Sequence, residues 1–127
     1  MASGLTFDSG ALIAAEKRDP RFWRIWAVAL KREAEITVPA AVLAQVWRGN
    51  SPTIARLLNV CQVEALDEGC AKRIGNLLAS SRRRADVVDA AVVVGAARRG
   101  DAIVTSDPSD IAHLIDVAGV DLLILSV

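Results

Sequence analysis

The sequence lacks several features that would assign it to a class of protein at once. Among its 127 residues there is one histidine, His113, which excludes a histidine-rich metal site. The two cysteines, Cys61 and Cys70, are too few for a disulfide scaffold, and their separation fits no zinc pattern. The 8 glycines and 4 prolines are too few for a disordered or collagen-like chain.

Net charge and long apolar runs are also missing. The 15 Lys and Arg residues balance the 15 Asp and Glu residues, which argues against non-specific coating of DNA but allows an enzyme with a local basic patch. No apolar run approaches the roughly 18–20 residues that span a bilayer. The start, MASGLTFDSG, has no basic segment followed by an apolar core, as a signal peptide would. We therefore expect a cytoplasmic protein without a membrane segment.

Hydrophobic residues make up 53% of the chain, and its length suits a single domain over residues 1–127. A domain of this size cannot bury so large an apolar share completely. We therefore expect a surface for self-association.

Short strands and helices alternate along the chain. Apolar runs predict strands at 4–8, 36–38, 61–66, 102–105 and 122–125. Helical spacing predicts helices at 9–17, over Phe22 to Leu30, from Pro39, from Ser51-Pro52, after a cap at Asp67, at 87–99 and at 108–118. Strands separated by helices predict an α/β fold with a parallel sheet covered on both faces. In such a sheet the ligand site lies beyond the carboxyl ends of the strands.

Acidic residues occur at those expected positions. Asp8 directly follows the first strand, and Asp107 follows the strand at 102–105. Asp86 and Asp89 begin the helix at 87–99, where Asp89 lies on the same face as apolar residues that should point to the core.

Aspartate at a helix start is also an ordinary cap. Asp86 with Asp89, and Asp107 with Asp110, fit a cap followed by an acid in the first turn. Capping does not explain the inward position of Asp89 or an acid directly after an apolar strand at position 8. Converging buried carboxylates need a counter-charge. Oxygen ligands favour Mg²⁺ or Mn²⁺, which suits phosphodiester hydrolysis without a protein nucleophile.

Four motifs in order resemble one family. They are LTFDSG at 5–10, TVPAAVLAQVWR at 37–48, DVVDAAVV at 86–93 and IVTSDPSDI at 103–111. Together they resemble the PIN domain and, more closely, the VapC-type ribonuclease toxins of bacterial toxin–antitoxin pairs, over nearly the whole chain. The resemblance implies a three-layer sandwich with a short parallel sheet of four to five strands flanked by helices. It also implies a homodimeric endoribonuclease that depends on Mg²⁺ or Mn²⁺ and is neutralised by a cognate antitoxin.

The family's first, third and fourth acids fall on Asp8, Asp89 and Asp107, which the resemblance implies as the catalytic metal ligands. Auxiliary roles, as outer ligands or as hydrogen-bond partners of the carboxylates, fall on Asp86, Asp110, Ser9, Thr105 and Ser106.

The chain departs from the family at Gln45, where the second acid is usually Glu. Gln45 keeps a carbonyl oxygen that could coordinate a metal ion or its water, but it has no negative charge. We therefore include it in the catalytic set and expect weaker metal binding.

Basic side chains suggest an RNA-binding surface. Arg82, Arg83 and Arg84 precede the acid at 86, and Arg48 lies close to Gln45 in sequence; each is a candidate for binding the RNA backbone. A solvated basic turn is the plainer interpretation of the arginine run. Arg98 and Arg99 suit the negative end of their helix.

Two other functions stay open. A catalytically degenerate PIN-like module that binds RNA or protein would explain Gln45. A hydrolase or receiver phosphorylated on aspartate also uses an acid after a parallel strand, but residue 10 is Gly where that hydrolase superfamily has a second Asp.

Overall fold

The computed structural model describes residues 4–127 as an α/β domain. Residues 1–3, part of the start from which we inferred no signal peptide, lie outside the described residues. The elements are β1 (Leu5–Phe7), α1 (Ser9–Glu16), α2 (Pro20–Lys31), β2 (Ile36–Pro39), α3 (Ala40–Val46), α4 (Pro52–Leu58), β3 (Gln62–Glu64), α5 (Glu68–Ser80), α6 (Val87–Arg99), β4 (Ala102–Thr105), α7 (Pro108–Ala118) and β5 (Ile124–Ser126).

The strands form one sheet in the order β3-β2-β1-β4-β5, and every neighbouring pair is parallel. β1 is central: Leu5 pairs with Ile36 on one side and with Ala102 on the other. This confirms the predicted parallel sheet, which has five strands, the higher of the two numbers expected. Because β1 and β4 are neighbours, their carboxyl ends lie side by side.

Both faces of the sheet are covered, as the fully buried β1 shows. On one face the Phe7 ring meets the Phe22 ring of α2 edge-on, with 5.3 Å between centroids, and Trp26 completes the cluster. Thr6 points to the opposite face, where it contacts Arg99 of α6. Helices on both faces confirm the three-layer sandwich, and they place Trp26 in the core.

Several element boundaries differ from the predictions. Pro39 is the last residue of β2 and not the first residue of a helix, because it is still paired with Glu64 of β3. Leu30, predicted on the buried face of α2, is 45% exposed. The last strand begins at Ile124, two residues later than predicted, since its pairing starts opposite Ile103.

Other predicted signals have the expected effect. The Asp67 side chain accepts a hydrogen bond from the Cys70 N–H at 2.8 Å and caps α5. Gly100, in the left-handed conformation (φ 74°), ends α6 as predicted. Within the described part of the chain, no helix is both long and apolar enough to cross a membrane.

Candidate active site

The site lies where β1 and β4 end. Asp8 follows β1 and Asp107 follows β4 after one intervening residue. The Asp8 N–H donates to the Val104 carbonyl of β4 at 3.2 Å, so the hydrogen bonding between β1 and β4 continues as far as Asp8. The topology therefore brings together two acids that are distant in sequence.

Asp8 is a buried carboxylate, only 4% exposed. Its Oδ1 accepts the Ala11 N–H at 2.8 Å, which caps α1. Burial raises its pKa, hydrogen bonds from Thr105 and Ala11 oppose that rise, and the nearby charge of Asp107 adds to it. Asp8 is thus held in place by donors but remains close to another negative charge.

Asp107 occupies the cap position of α7, yet its side chain accepts no capping hydrogen bond from any described residue. Its N–H instead donates to the Thr105 hydroxyl at 2.8 Å. The Thr105 side chain also lowers the pKa of Asp8, so Thr105 lies close to both acids. Capping does not account for the Asp107 carboxylate, which is exposed.

Asp86 and Asp89 divide the two roles that the sequence left open. Asp86 caps α6, accepting the Val88 N–H at 2.6 Å. Asp89, one turn into the helix, is only partly exposed, and its pKa is raised to about 6. Burial is the largest cause, followed by the charges of Asp86 and Asp8, with smaller effects from Asp110 and Asp107. Four acids from three segments of the chain therefore raise the pKa of one carboxyl group.

A cleft of about 530 Å³ opens over these acids. Its lining combines four acids with basic and apolar side chains: Asp86, Asp89, Asp107, Asp110, Arg83, Arg84, Ala85, His113 and Leu114. The Arg83 Nη2 lies 3.8 Å from the Asp110 Oδ1 in an exposed ion pair. Asp8 is buried and does not line the cleft, although its charge raises the pKa of Asp89. The cleft thus brings arginines next to the acidic group.

The remaining candidates lie farther from the cleft. Gln45 of α3 accepts a hydrogen bond from the Ser9 hydroxyl, which ties α3 to the start of α1. Arg48 donates to the Trp47 carbonyl at 2.7 Å, a local contact. Neither Gln45, Arg48 nor Arg82 is among the described residues that line the cleft.

Gly10 was not singled out by the sequence, although it helps to build the site. A Cβ at this position would lie 2.8 Å from the Ser106 Cβ and overlap the Ser106 hydroxyl. Glycine therefore lets the first turn of α1 approach the loop between β4 and α7. The Asp-Ser-Gly order after an apolar strand was the available signal.

A second polar group lies beneath the sheet. The Arg99 guanidinium donates to Asp101 at 2.8 Å, to Glu64 at 2.5 Å and to the Thr6 hydroxyl at 3.0 Å. The Thr6 hydroxyl donates to Asp101 at 2.8 Å. The sequence predicted only that Arg99 suits the negative end of α6. The structure shows that Arg99 also joins α6 to β1 and β3.

The donor set fits a hard divalent cation in kind. Asp8, Asp89 and Asp107 supply carboxylate oxygens, and their mutual repulsion favours a positive charge between them. The side chains do not form a closed coordination group as they stand. Over residues 4–127, no three His, Cys, Asp or Glu side chains are placed to hold one ion together.

Comparisons with solved structures identify the fold. The chain is similar to one in the VapBC2 complex of Rickettsia felis bound to promoter DNA (TM-score 0.75, 13% identity, covering 97% of this chain and 98% of that chain). It is also similar to one in the DNA-bound VapBC of Salmonella typhimurium (TM-score 0.72, 14% identity, 98% and 99% covered). A third similar chain belongs to a toxin–antitoxin complex from Klebsiella pneumoniae (TM-score 0.68, 17% identity, covering 87% of this chain and 91% of that chain).

No protein-family model matches the sequence, and no curated protein matches it. The likeness is therefore one of fold. The chain has the PIN-like fold of VapC toxins, as the sequence motifs predicted.

Proposed function

We propose that the protein is a Mg²⁺- or Mn²⁺-dependent endoribonuclease toxin that hydrolyses RNA phosphodiester bonds. The observation that carries this proposal is the convergence of Asp8, Asp89 and Asp107 beside a cleft that also holds Arg83 and Arg84. Repulsion among acids calls for a cation, and the arginines suit a polyanionic substrate. The fold shared with chains of toxin–antitoxin complexes supports the same function.

Each group has a distinct part in this proposal. Asp8, Asp89 and Asp107 would hold the ion, with Asp8 fixed by its hydrogen bonds and the exposed Asp107 carboxylate able to turn toward it. Arg83 and Arg84 would bind phosphates of the RNA backbone. A bound Mg²⁺ or Mn²⁺ would polarise the phosphate and lower the pKa of the attacking water. Hydrolysis would break the bond to the 3′ oxygen, which takes the proton, and leave a 5′-phosphate.

RNA cleavage with Mg²⁺, with Mn²⁺ and with EDTA tests the proposal. We expect cleavage with either metal and none with EDTA. Asp89→Asn should lose activity by at least ~100-fold, because it removes charge from the metal site. Asp116→Asn, an exposed acid toward the other end of α7, is the matched control and should keep activity.

A degenerate PIN-like module is the second candidate, favoured by the uncharged Gln45. It predicts RNA or protein binding with no cleavage under any metal. Cleavage that survives both EDTA and Asp89→Asn would contradict both candidates and indicate a contaminating nuclease.

We also propose that the protein acts in the cytoplasm as a homodimer and is neutralised by a cognate antitoxin. An apolar groove of about 660 Å³ at the opposite end of the sheet supports the dimer. Its lining includes the exposed Val28 and Leu123, with Arg24 and Arg32 along α2 and Asp121 before β5. The groove carries charges of both signs, which a two-fold arrangement could pair between the two copies. Co-expression with the product of a neighbouring small gene, followed by the cleavage assay, tests the antitoxin.

A further inference from the structure

The connection from α5 to α6 is fastened to α7 by a pair of side chains. His113 of α7 has its Nε2 3.0 Å from the Ser81 Oγ. The Ser81 hydroxyl in turn donates to the Arg83 carbonyl at 2.7 Å. Because that donation uses the only proton of the hydroxyl, Ser81 must accept from His113, and His113 must carry a proton on Nε2.

These two hydrogen bonds act on the backbone of the arginine turn, which we define as residues 82–84. Ser81 and His113 are both partly buried, whereas Arg82, Arg83 and Arg84 are exposed. The turn and α7 are also joined by the exposed ion pair of Arg83 with Asp110. Exposed ion pairs hold side chains weakly and are screened by salt. The His113–Ser81–Arg83 chain is therefore the better restraint on the turn.

We propose that His113 and Ser81 form a clasp that holds the arginine turn over the acidic cleft, and that they act as positioning residues for binding of RNA phosphates. The RNA part rests on the proposed function. In this role His113 supplies an N–H donor at Nε2 and takes no part in proton transfer with the substrate. Arg83 and Arg84 are the groups that touch RNA.

Trypsin reports on the clasp without RNA, because it cuts after arginine and the turn is three arginines long. Ser81→Ala and His113→Leu should raise the rate of cutting at residues 82–84 by about 5-fold, the effect of losing one net hydrogen bond. His113→Gln and Ser81→Thr, which keep the donor and the hydroxyl, should restore much of the protection. Ser80→Ala is the matched control, since the Ser80 hydroxyl donates within α5, to the Asn76 carbonyl.

Binding of a short unstructured RNA, measured in the Asp89→Asn background to prevent cleavage, tests the positioning role. Ser81→Ala and His113→Leu should each raise the Kd by about 5-fold, as expected if the turn spends less time in its binding position. With Arg83 and Arg84 both changed to Gln, the clasp substitutions should have no further effect, because the groups they position are gone.

The outcomes separate the two ideas. Unchanged trypsin cutting in Ser81→Ala and His113→Leu would overturn the clasp. Faster cutting with an unchanged Kd would show that the clasp orders the turn but does not serve RNA binding, which overturns the positioning role. A chain that neither binds nor cleaves RNA would refute the proposed function and the RNA role of the clasp, while the trypsin result would still decide whether the clasp exists.

Discussion

At the scale of single residues, Asp89 is a carboxyl group that folding makes harder to ionise. Its pKa rises from 3.8 to about 6, mainly through burial and then through the charges of Asp86 and Asp8. Between these two values the folded chain holds a proton that the unfolded chain has released. Stability of the metal-free protein should therefore fall as pH rises through this window, and the whole cost is present above it.

Replacing Asp89 with Asn should stabilise the metal-free protein. At about pH 8 we expect the free energy of unfolding to rise by about 1 kcal/mol, a value discounted because the group is partly exposed. At about pH 4 wild type and variant should converge, since the wild-type carboxyl group is then largely protonated. Urea unfolding in EDTA at the two pH values measures the difference.

Mg²⁺ should reverse this order, because an ion bound by the carboxylates stabilises only the folded wild type. Asp116→Asn controls for a general loss of negative charge. A variant that is less stable than wild type at high pH without metal would contradict the origin we assign to the pKa shift.

Gln45→Glu should increase the affinity for metal. Glu adds a negative charge near the start of α1, where Ser9 already bonds the side chain of residue 45. We expect half-maximal cleavage at a roughly 10-fold lower Mg²⁺ concentration, and a weaker preference for Mn²⁺. Titration of metal against the cleavage rate checks this, with Gln62→Glu, an exposed glutamine in β3, as the control. Identical metal dependence in the wild type and Gln45→Glu would refute the prediction.

At the scale of elements, the approach of α1 to the loop after β4 depends on Gly10. Gly10→Ala would place a methyl group against Ser106, including its backbone N at 3.2 Å, so rotation of one hydroxyl cannot relieve the overlap. We expect a loss of about 1–3 kcal/mol in unfolding free energy and a fall in activity, because Asp8 and Asp107 would move apart.

Gly75→Ala in α5 is the matched control for Gly10→Ala. No atom outside its own neighbourhood lies within 4 Å of a Cβ at position 75, so the higher helix propensity of Ala should stabilise the protein by about 0.5–1 kcal/mol. Equal effects at the two glycines would show that the contact with Ser106 is unimportant.

Much of the element order could be predicted from local signals. The limits of α6, β4 and α7 match the predictions. Gly100 and Gly119 end α6 and α7 in the left-handed conformation, and Pro108 begins α7 after β4. The boundary at Pro39 could not be predicted, since pairing with β3 keeps it in the sheet. Local sequence also could not separate Asp86, which caps, from Asp107, which does not, because both sit in the same kind of pattern.

At the scale of the whole molecule, the apolar groove between α2 and β5 is the surface we assign to a second copy. Leu123, 65% exposed, should be central to that contact. Leu123→Asp should shift the protein from dimer to monomer in light scattering, with little change in helix content. Val60→Asp, at a 53% exposed valine outside the groove, should leave the dimer intact. A wild type that is monomeric at high concentration would contradict the assignment.

The convergence of the acids could be predicted at this scale only in part. A parallel sheet implied that Asp8 and Asp107 share an edge, but adjacency follows from the strand order, which no local signal encodes. The network of Arg99 with Glu64, Asp101 and Thr6 escaped prediction for the same reason. Its partners are contributed by separate strands and meet only in the folded sheet.

The pairing of β1 with β4 has a consequence for synthesis. Residues 5–7 lie at the centre of the sheet, yet their partners at 102–104 leave the ribosome almost a hundred residues later. No prematurely terminated product that stops before Asp107 can assemble the acidic group. Fragments of this chain that end before Asp107 should therefore lack the acidic group, even where they form other parts of the fold.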